Sequence, residues 1–203
     1  FTKSELQGTD YDSFGMDIGD VDGDGNLDIL VGTTKNQNDA MYYMQADGAG
    51  SYTKVEIDSW TTSGSTPYEA HYLADVVLVD IDGDGDLDIV GAHYKSGSPN
   101  PASRVSWFKN DGSGTFTLGG HIYEADVSDT VYPYRIHAAD LDNDGDMDLI
   151  VRWVNNDDNY GTRASIHRNN GDDTFTTDVS QDVMDENKPT RDNEYYMASI
   201  AAD

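Results

Sequence analysis

The sequence contains no cysteine and few basic residues. Without cysteine, none of the 203 residues can form a disulfide. There are 12 Lys and Arg residues against 39 Asp and Glu residues, which gives a formal net charge of −27. Phosphate groups and anionic membranes bind basic surfaces, so we exclude nucleic acid as a partner and disfavour membrane attachment. No apolar run reaches transmembrane length, so we expect no membrane insertion.

Signatures of common catalytic sites are also missing. The chain has no Gly-x-Ser-x-Gly elbow, no zinc signature and no phosphate loop. Acidic pairs are so frequent that pairing of carboxylates does not indicate a glycosidase. His93 and Tyr94 are neighbours that can serve proton abstraction in a lyase, although an ordinary loop cluster is the favoured interpretation. The sequence therefore leans against an enzyme.

Three copies of one acidic loop are the most informative feature that is present. Each copy has nine residues in the pattern Asp-x-Asp-x-Asp-Gly-x-x-Asp. The first loop spans 20–28, the second 80–88 and the third 140–148, so the loops repeat every 60 residues, and a fourth copy begins at Asp203. Repetition at such a period predicts a solenoid, propeller or array.

The acidic loops predict calcium sites. Aspartates at loop positions 1, 3, 5 and 9 supply carboxylates, position 7 supplies a backbone carbonyl, and the glycine at position 6 allows a sharp turn. Position 12, a glutamate in EF-hands, is here an apolar residue or glycine, so these loops lead into strands. So many carboxylates repel one another unless a cation lies among them. We expect about three Ca²⁺ ions, one per complete loop, with a fourth site beginning at Asp203; the predicted ligand residues are Asp20, Asp22, Asp24, Asn26, Asp28, Asp80, Asp82, Asp84, Asp86, Asp88, Asp140, Asp142, Asp144, Asp146 and Asp148.

Short β-rich runs flank each loop, and a second turn follows. Asp-Gly at 47–48 and 111–112, and Asn-Gly at 170–171, are strong hairpin signals between such runs. Four strands per repeat predict an all-β chain of β-propeller blades, with about three complete blades and partial blades at both ends. The predicted boundaries are a strand of a preceding blade at 1–12, blades at 13–58, 70–123 and 131–180, and the first strand of a further blade at 194–203.

These motifs resemble a known family. The segment that runs from Phe14-Gly15 through the first loop to Gly32 is similar to the FG-GAP repeat of integrin α-subunit propellers. Segments 107–116 and 80–90 resemble the related VCBS repeats of secreted bacterial proteins, and the second and third repeats lack the Phe-Gly pair. The resemblance implies calcium-bound propeller blades in an extracellular or cell-surface protein. It does not fix one function, because such blades occur in adhesion proteins, lectin-like modules, lyases and stalks.

The leading functional hypothesis is a calcium-stabilised, non-catalytic structural or adhesive module. The alternatives are a carbohydrate-binding propeller and the scaffold of a secreted polysaccharide lyase. Propellers have four to eight blades, so three blades fall short of closure. We therefore expect further blades of the same chain, or other copies of it, as partners that complete a ring or a fibre. Carbohydrate or a cell-surface protein is the external partner that these hypotheses allow.

Overall fold

The described part of the chain folds into three four-stranded sheets. The computed structural model describes residues 12–35, 38–57, 70–96, 103–124, 131–155 and 162–178, and these contain strands and turns but no helix. The prediction of an all-β chain with four antiparallel strands per repeat is confirmed. Of the predicted partial blades, residues 1–11 and the strand at 194–203 lie outside the described residues.

The three sheets have the same order, in which consecutive strands are neighbours. The first sheet consists of β1 (Asp12–Gly19), β2 (Asp28–Lys35), β3 (Asn38–Ala46) and β4 (Tyr52–Ile57). The second consists of β5 (Ala70–Val79), β6 (Asp88–Ser96), β7 (Ser103–Asn110) and β8 (Phe116–Glu124). The third consists of β9 (Val131–Ala139), β10 (Asp148–Asn155), β11 (Thr162–Asn169) and β12 (Phe175–Asp178).

Each acidic loop joins the first and second strands of its sheet. The strand pairing continues up to the loop, because Gly19 pairs with Asp28, and the second and third sheets repeat this register. The predicted hairpins join the third and fourth strands. In the first of them, the Asp47 amide donates to the Ser51 carbonyl at 3.0 Å, and Gly48 has a φ of 67°, which glycine adopts without steric cost.

Two apolar cores lie between consecutive sheets. Leu30 of β2, Leu73 of β5 and Ile89 of β6 share the first core, and Leu149 of β10 lies in the second. All four side chains have no exposed surface, as expected for strands covered on both faces. Fully burying a side chain of this size contributes about 1.5–3 kcal/mol.

Aspartates on the first strands form hydrogen bonds between the sheets. Asp75 of β5 accepts a hydrogen bond from the Ile136 amide of β9 at 2.9 Å. One sheet earlier, Asp17 of β1 accepts from the Leu78 amide of β5 at 2.8 Å. The first strands of consecutive sheets are therefore held side by side by both apolar packing and hydrogen bonds.

The third sheet buries a neutral histidine in a polar network. His167 on β11 has no exposed surface, and its Nε2 lies 2.8 Å from Ser165 Oγ, which accepts a bond from Trp153 Nε1 at 2.7 Å. The other ring nitrogen lies 2.9 Å from Thr177 Oγ1. Burial disfavours the imidazolium and lowers the pKa of His167 to about 4.

This histidine predicts a specific loss of stability in acid. Between about pH 6.5 and pH 4 the unfolded chain binds a proton at His167 that the folded chain does not, so the free energy of unfolding falls as the pH falls, by up to about 3 kcal/mol. His167→Gln removes this contribution. Denaturant unfolding of both proteins at several pH values measures the difference.

His137→Gln is the matched control, because His137 lies exposed on β9. It should keep the wild-type pH dependence. A His167→Gln protein whose stability falls with pH as steeply as the wild type would show that His167 is not buried in the neutral form.

Candidate metal centre

Each acidic loop gathers three carboxylates into one small space. Oxygens of the aspartates at loop positions 1, 3 and 9 all lie within 4.8 Å of one another. The three groups are Asp20, Asp22 and Asp28; Asp80, Asp82 and Asp88; and Asp140, Asp142 and Asp148. Carboxylate oxygens at this spacing can hold a metal ion, and nine of the 15 ligand residues expected from the sequence belong to these groups.

Position 9 is a buried anchor as well as a potential ligand. Asp28 has no exposed surface, and its two oxygens accept hydrogen bonds from the amides of Val21, at 3.0 Å, and Ala46, at 2.8 Å. Asp88 and Asp148 are equally buried and accept the equivalent pairs of bonds at 2.7–3.2 Å. One carboxylate therefore fixes the start of the loop to the end of the third strand.

Burial makes the anchors of the first and second loops costly to ionise. Desolvation raises the pKa of Asp28, and it raises the pKa of Asp88 to about 6, although two backbone amides favour the charged form of each. Nearby loop aspartates add to the upward shift in pKa. A cation bound among these carboxylates would favour the ionised form and lower the pKa of both groups.

Position 1 closes the loop around the same space. Both oxygens of Asp20 accept backbone bonds, from the amides of Asp24 at 3.1 Å and Gly25 at 2.9 Å. The φ angle of Gly25 is 88°, and the glycines at position 6 of the other loops have φ angles of 95° and 99°, so the predicted sharp turn requires glycine in all three.

The second loop contains an unsatisfied oxygen. Asp80 Oδ1 is buried and has no hydrogen-bond partner, whereas Asp80 Oδ2 accepts from the Gly85 amide at 3.1 Å. Buried polar atoms without a partner are rare, and a position beside an ion site is one of the usual reasons. The donor set, composed of oxygen atoms alone, fits a hard cation.

Side chains at positions 5 and 7 lie outside the three close groups. Position 5 shapes the loop, because Asp24 Oδ1 accepts from the Asn26 amide at 2.7 Å, and the other loops repeat this bond. Asn26, at position 7, lies against Gly48 of the hairpin, where an added Cβ would come within 2.6 Å of Asn26 Oδ1. Asp86 and Asp146 lie equally close to the hairpin glycines of their own repeats. Each hairpin turn therefore packs directly on its loop.

A residue near the end of the third strand contacts position 3 in every repeat. Gln45 Nε2 donates to Asp22, Lys109 Nζ contacts Asp82 and also Asp84 at 3.1 Å, and Arg168 Nη1 donates to Asp142 at 3.0 Å. The Asp86 amide and the Lys109 ammonium lower the pKa of Asp84. Sequence reasoning missed these partners, although their equal distance from the hairpin turn was a usable signal.

Asparagines connect the loops of consecutive sheets. Asn110, next to Lys109, donates from Nδ2 to the carbonyl of Val21 in the first loop at 2.7 Å, while its own amide bonds to Asp88. Asn169 repeats this, donating to Ile81 in the second loop at 2.7 Å. Ala46 occupies this position in the first sheet and has no amide side chain. The three loops are therefore linked by a continuous series of hydrogen bonds.

Two other candidate sites offer weaker evidence for a function. His93, considered above for proton abstraction, is only 1% exposed and lies 3.2 Å from Ser106 Oγ, so it does not face a substrate. A cavity of about 200 Å³ between the second and third sheets is lined partly by Tyr94, Tyr132 and Tyr134. Typical ligand pockets are larger, at about 300–1,000 Å³. None of the described residues forms a helix that is long and apolar enough to cross a membrane.

Comparison with known families gives one match. The profile described as FG-GAP-like repeat matches residues 20–91 and again 80–151, which together are more than half of the chain. Each match begins at the first aspartate of one acidic loop and ends just beyond the next loop. The resemblance inferred from the sequence is confirmed, and the match includes the second repeat and the acidic loop of the third, both of which lack the Phe-Gly pair. No curated protein matches the chain, and no solved structure matches it.

The link between loops predicts a marked difference between two adjacent asparagines. Asn169→Ala removes the bond to Ile81, together with a longer bond to the Met147 carbonyl and the bond accepted from the Gly171 amide, so we expect it to lower the free energy of unfolding by about 1–3 kcal/mol. Asn170→Ala is the control, because Asn170 is exposed on the hairpin, and we expect at most about 0.5 kcal/mol. Denaturant unfolding in excess calcium measures both. Equal effects would contradict the link.

Proposed function

The chain belongs to the FG-GAP-like repeat family, and from this we propose that it is a calcium-stabilised β-propeller module of an extracellular or cell-surface protein. Its role in this proposal is structural or adhesive, and it has no catalytic activity of its own. The observation that carries the proposal is the group of three aspartates that recurs in each of the three loops, in one case with a buried, unpartnered oxygen.

The donor set favours calcium over other metals. Zinc and later transition metals prefer nitrogen and sulfur ligands, whereas these three groups consist of carboxylates. Calcium accepts six to eight oxygens in flexible geometry, while magnesium requires a strict octahedron and keeps several waters. Extracellular calcium is abundant enough to occupy weak sites, which fits an extracellular location. Three divalent ions would also reduce the formal net charge from −27 to −21.

The surroundings of the loops support the proposed structural role. The proposed cation contacts position 9, which holds the third strand, and position 1, which holds the turn. A bound cation therefore stabilises the same connections that define each sheet. His93 and His167, the most buried histidines among the described side chains, lie within hydrogen-bonded networks of the sheets, which supports a non-catalytic role.

An exposed apolar face of the first sheet supports the proposal that a partner covers this sheet. Met16 and Ile18 on β1 are 68% and 59% exposed, whereas Val76, at the position of Met16 in the second sheet, is 1% exposed because the first sheet covers it. We propose that a further blade or a second copy of the chain covers Met16 and Ile18 in the same way. Carbohydrate binding and a polysaccharide lyase scaffold stay as the alternative hypotheses for this family of blades.

Calcium removal should lower the stability of the whole module. A ligand at 100 times its dissociation constant stabilises the folded state by about 2.7 kcal/mol per site, so excess chelator should lower the melting temperature clearly. Calcium should restore it, and magnesium should restore it less. Differential scanning calorimetry measures this, and a melting curve that chelator leaves unchanged would refute the proposed calcium role.

A pair of isosteric variants locates the effect in the loops. Asp82→Asn removes a carboxylate from the second group and should reduce the calcium-dependent shift in melting temperature. Glu56→Gln is the control, because the side chain of Glu56 is 79% exposed on β4 and belongs to none of the three groups. The control should keep the full shift.

The exposed apolar face predicts self-association. Light scattering of the wild-type chain in calcium should give a mass above that of a monomer if a second copy covers Met16 and Ile18. Met16→Asp combined with Ile18→Asp should reduce that mass. Leu118→Asp, which alters a 53% exposed leucine on β8, should leave it unchanged. A wild-type chain that is monomeric at every concentration would rule out the second copy as this partner.

A further inference from the structure

The three acidic loops differ from one another in a correlated way. Position 7 is Asn26 in the first loop but an aspartate in the second and third, Asp86 and Asp146. The third-strand residue that contacts position 3 is neutral Gln45 in the first repeat but a cation, Lys109 or Arg168, in the other two. The additional carboxylate therefore occurs only in the repeats that also supply a positive charge.

The charges balance in every repeat. The first loop carries four carboxylates and has a neutral partner, which gives −4. The second and third loops carry five carboxylates each, and the positive charge of the Lys or Arg partner brings the sum of loop and partner to −4 in both. The loop and its third-strand partner together would thus present the same charge, −4, to a bound divalent cation in all three repeats, although the loops differ in composition.

Lys109 and Arg168 contact loop carboxylates and therefore lie close enough to interact electrostatically with a bound ion. The Asp82 side chain is only 5% exposed, so its pair with Lys109 forms at the partly buried wall of the loop. The same ammonium lies 3.1 Å from Asp84, so it contacts two carboxylates of one loop. Arg168 lies 3.0 Å from Asp142 in the third loop. Exposed pairs contribute little, but the Lys109–Asp82 pair is shielded on the side of Asp82 and is screened less by solvent and salt, whereas Arg168 and Asp142 are 36% and 40% exposed and their pair is screened more.

Elementary electrostatics gives the expected signs. A unit positive charge close to a bound divalent ion repels it, and it also competes for the shared carboxylate, so Lys109 lowers the affinity of its loop for calcium. An additional carboxylate at position 7, although outside the group of three, adds negative charge to the loop and raises that affinity by electrostatic attraction. The two changes oppose each other within each repeat.

We propose that Lys109 and Arg168 are tethered counter-ions that set the calcium affinity of the second and third loops and offset their additional carboxylates. The three loops then fill over the same range of calcium concentration. The inference rests on the proposed function, because it requires that the loops bind calcium. It assigns to Gln45, Lys109 and Arg168 a tuning role distinct from that of the ligands.

The chain contains its own matched controls for a test. Lys109→Gln and Asp86→Asn together give the second repeat the same pair as the first, Gln45 and Asn26. Gln45→Lys and Asn26→Asp make the reverse exchange in the first repeat. The four single variants and the two double variants, each in the full chain, are titrated with calcium against a competing chelator. Circular dichroism in excess calcium verifies that each variant is folded.

The expected results have opposite signs. Lys109→Gln should make one of the three sites about tenfold tighter, and Gln45→Lys should make one site about tenfold weaker. Asp86→Asn should weaken one site, and Asn26→Asp should tighten one. Each double variant should return to within about twofold of the wild-type curve. This pattern would support the tuning role.

Two kinds of result would overturn the inference, and they are distinguishable. If the wild type binds calcium but Lys109→Gln and Gln45→Lys leave its affinity unchanged, the counter-ion role is wrong while the proposed function stands. Single variants that change the affinity, together with double variants that do not restore it, would also refute the charge balance. If the folded wild type binds no calcium, the proposed function fails, and this inference fails with it.

Discussion

The buried carboxylate at loop position 9 is the interaction on which the rest of the structure depends. Asp28, Asp88 and Asp148 have no exposed surface, and each holds two backbone amides from separate parts of its repeat. An ionised carboxylate without exposed surface is costly unless donors or a cation compensate it. The amides supply part of this compensation. The other aspartates of the same loop repel this carboxylate electrostatically, and a bound cation would reduce that repulsion.

Consequences of this anchor extend from one loop to the next. The amide that donates to Asp88 belongs to Asn110, whose side chain bonds to the first loop, and Asn169 repeats the connection from the third sheet to the second loop. Apolar cores between consecutive sheets hold the same elements together. Stability in such repeats is a sum of terms within each unit and terms between neighbours. Here the acidic loop stabilises its own sheet, and it also stabilises the contact with the neighbouring sheet.

Much of this architecture was predictable because its signals are local and repeated. The acidic loops, the strands beside them and the hairpins at Asp-Gly and Asn-Gly all lie within short windows, and repetition every 60 residues separated them from chance. Three contacts were not predicted: the anchor formed by Asp28, the contact of Lys109 with Asp82, and the bond from Asn110 to Val21. Asn110 and Val21 are 89 residues apart, and their contact depends on strand register and on packing between sheets. No local pattern encodes these two quantities.

We propose that each acidic loop holds one calcium ion between its carboxylates, and a crystal structure of the chain grown in calcium would show whether it does. We expect one anomalous peak in each of the three loops, with oxygens of the aspartates at positions 1, 3 and 9 among the ligands at about 2.3–2.6 Å. We also expect that Asp80 Oδ1, which has no hydrogen-bond partner, contacts the ion of its loop. Ordered loops without metal in saturating calcium would contradict the account.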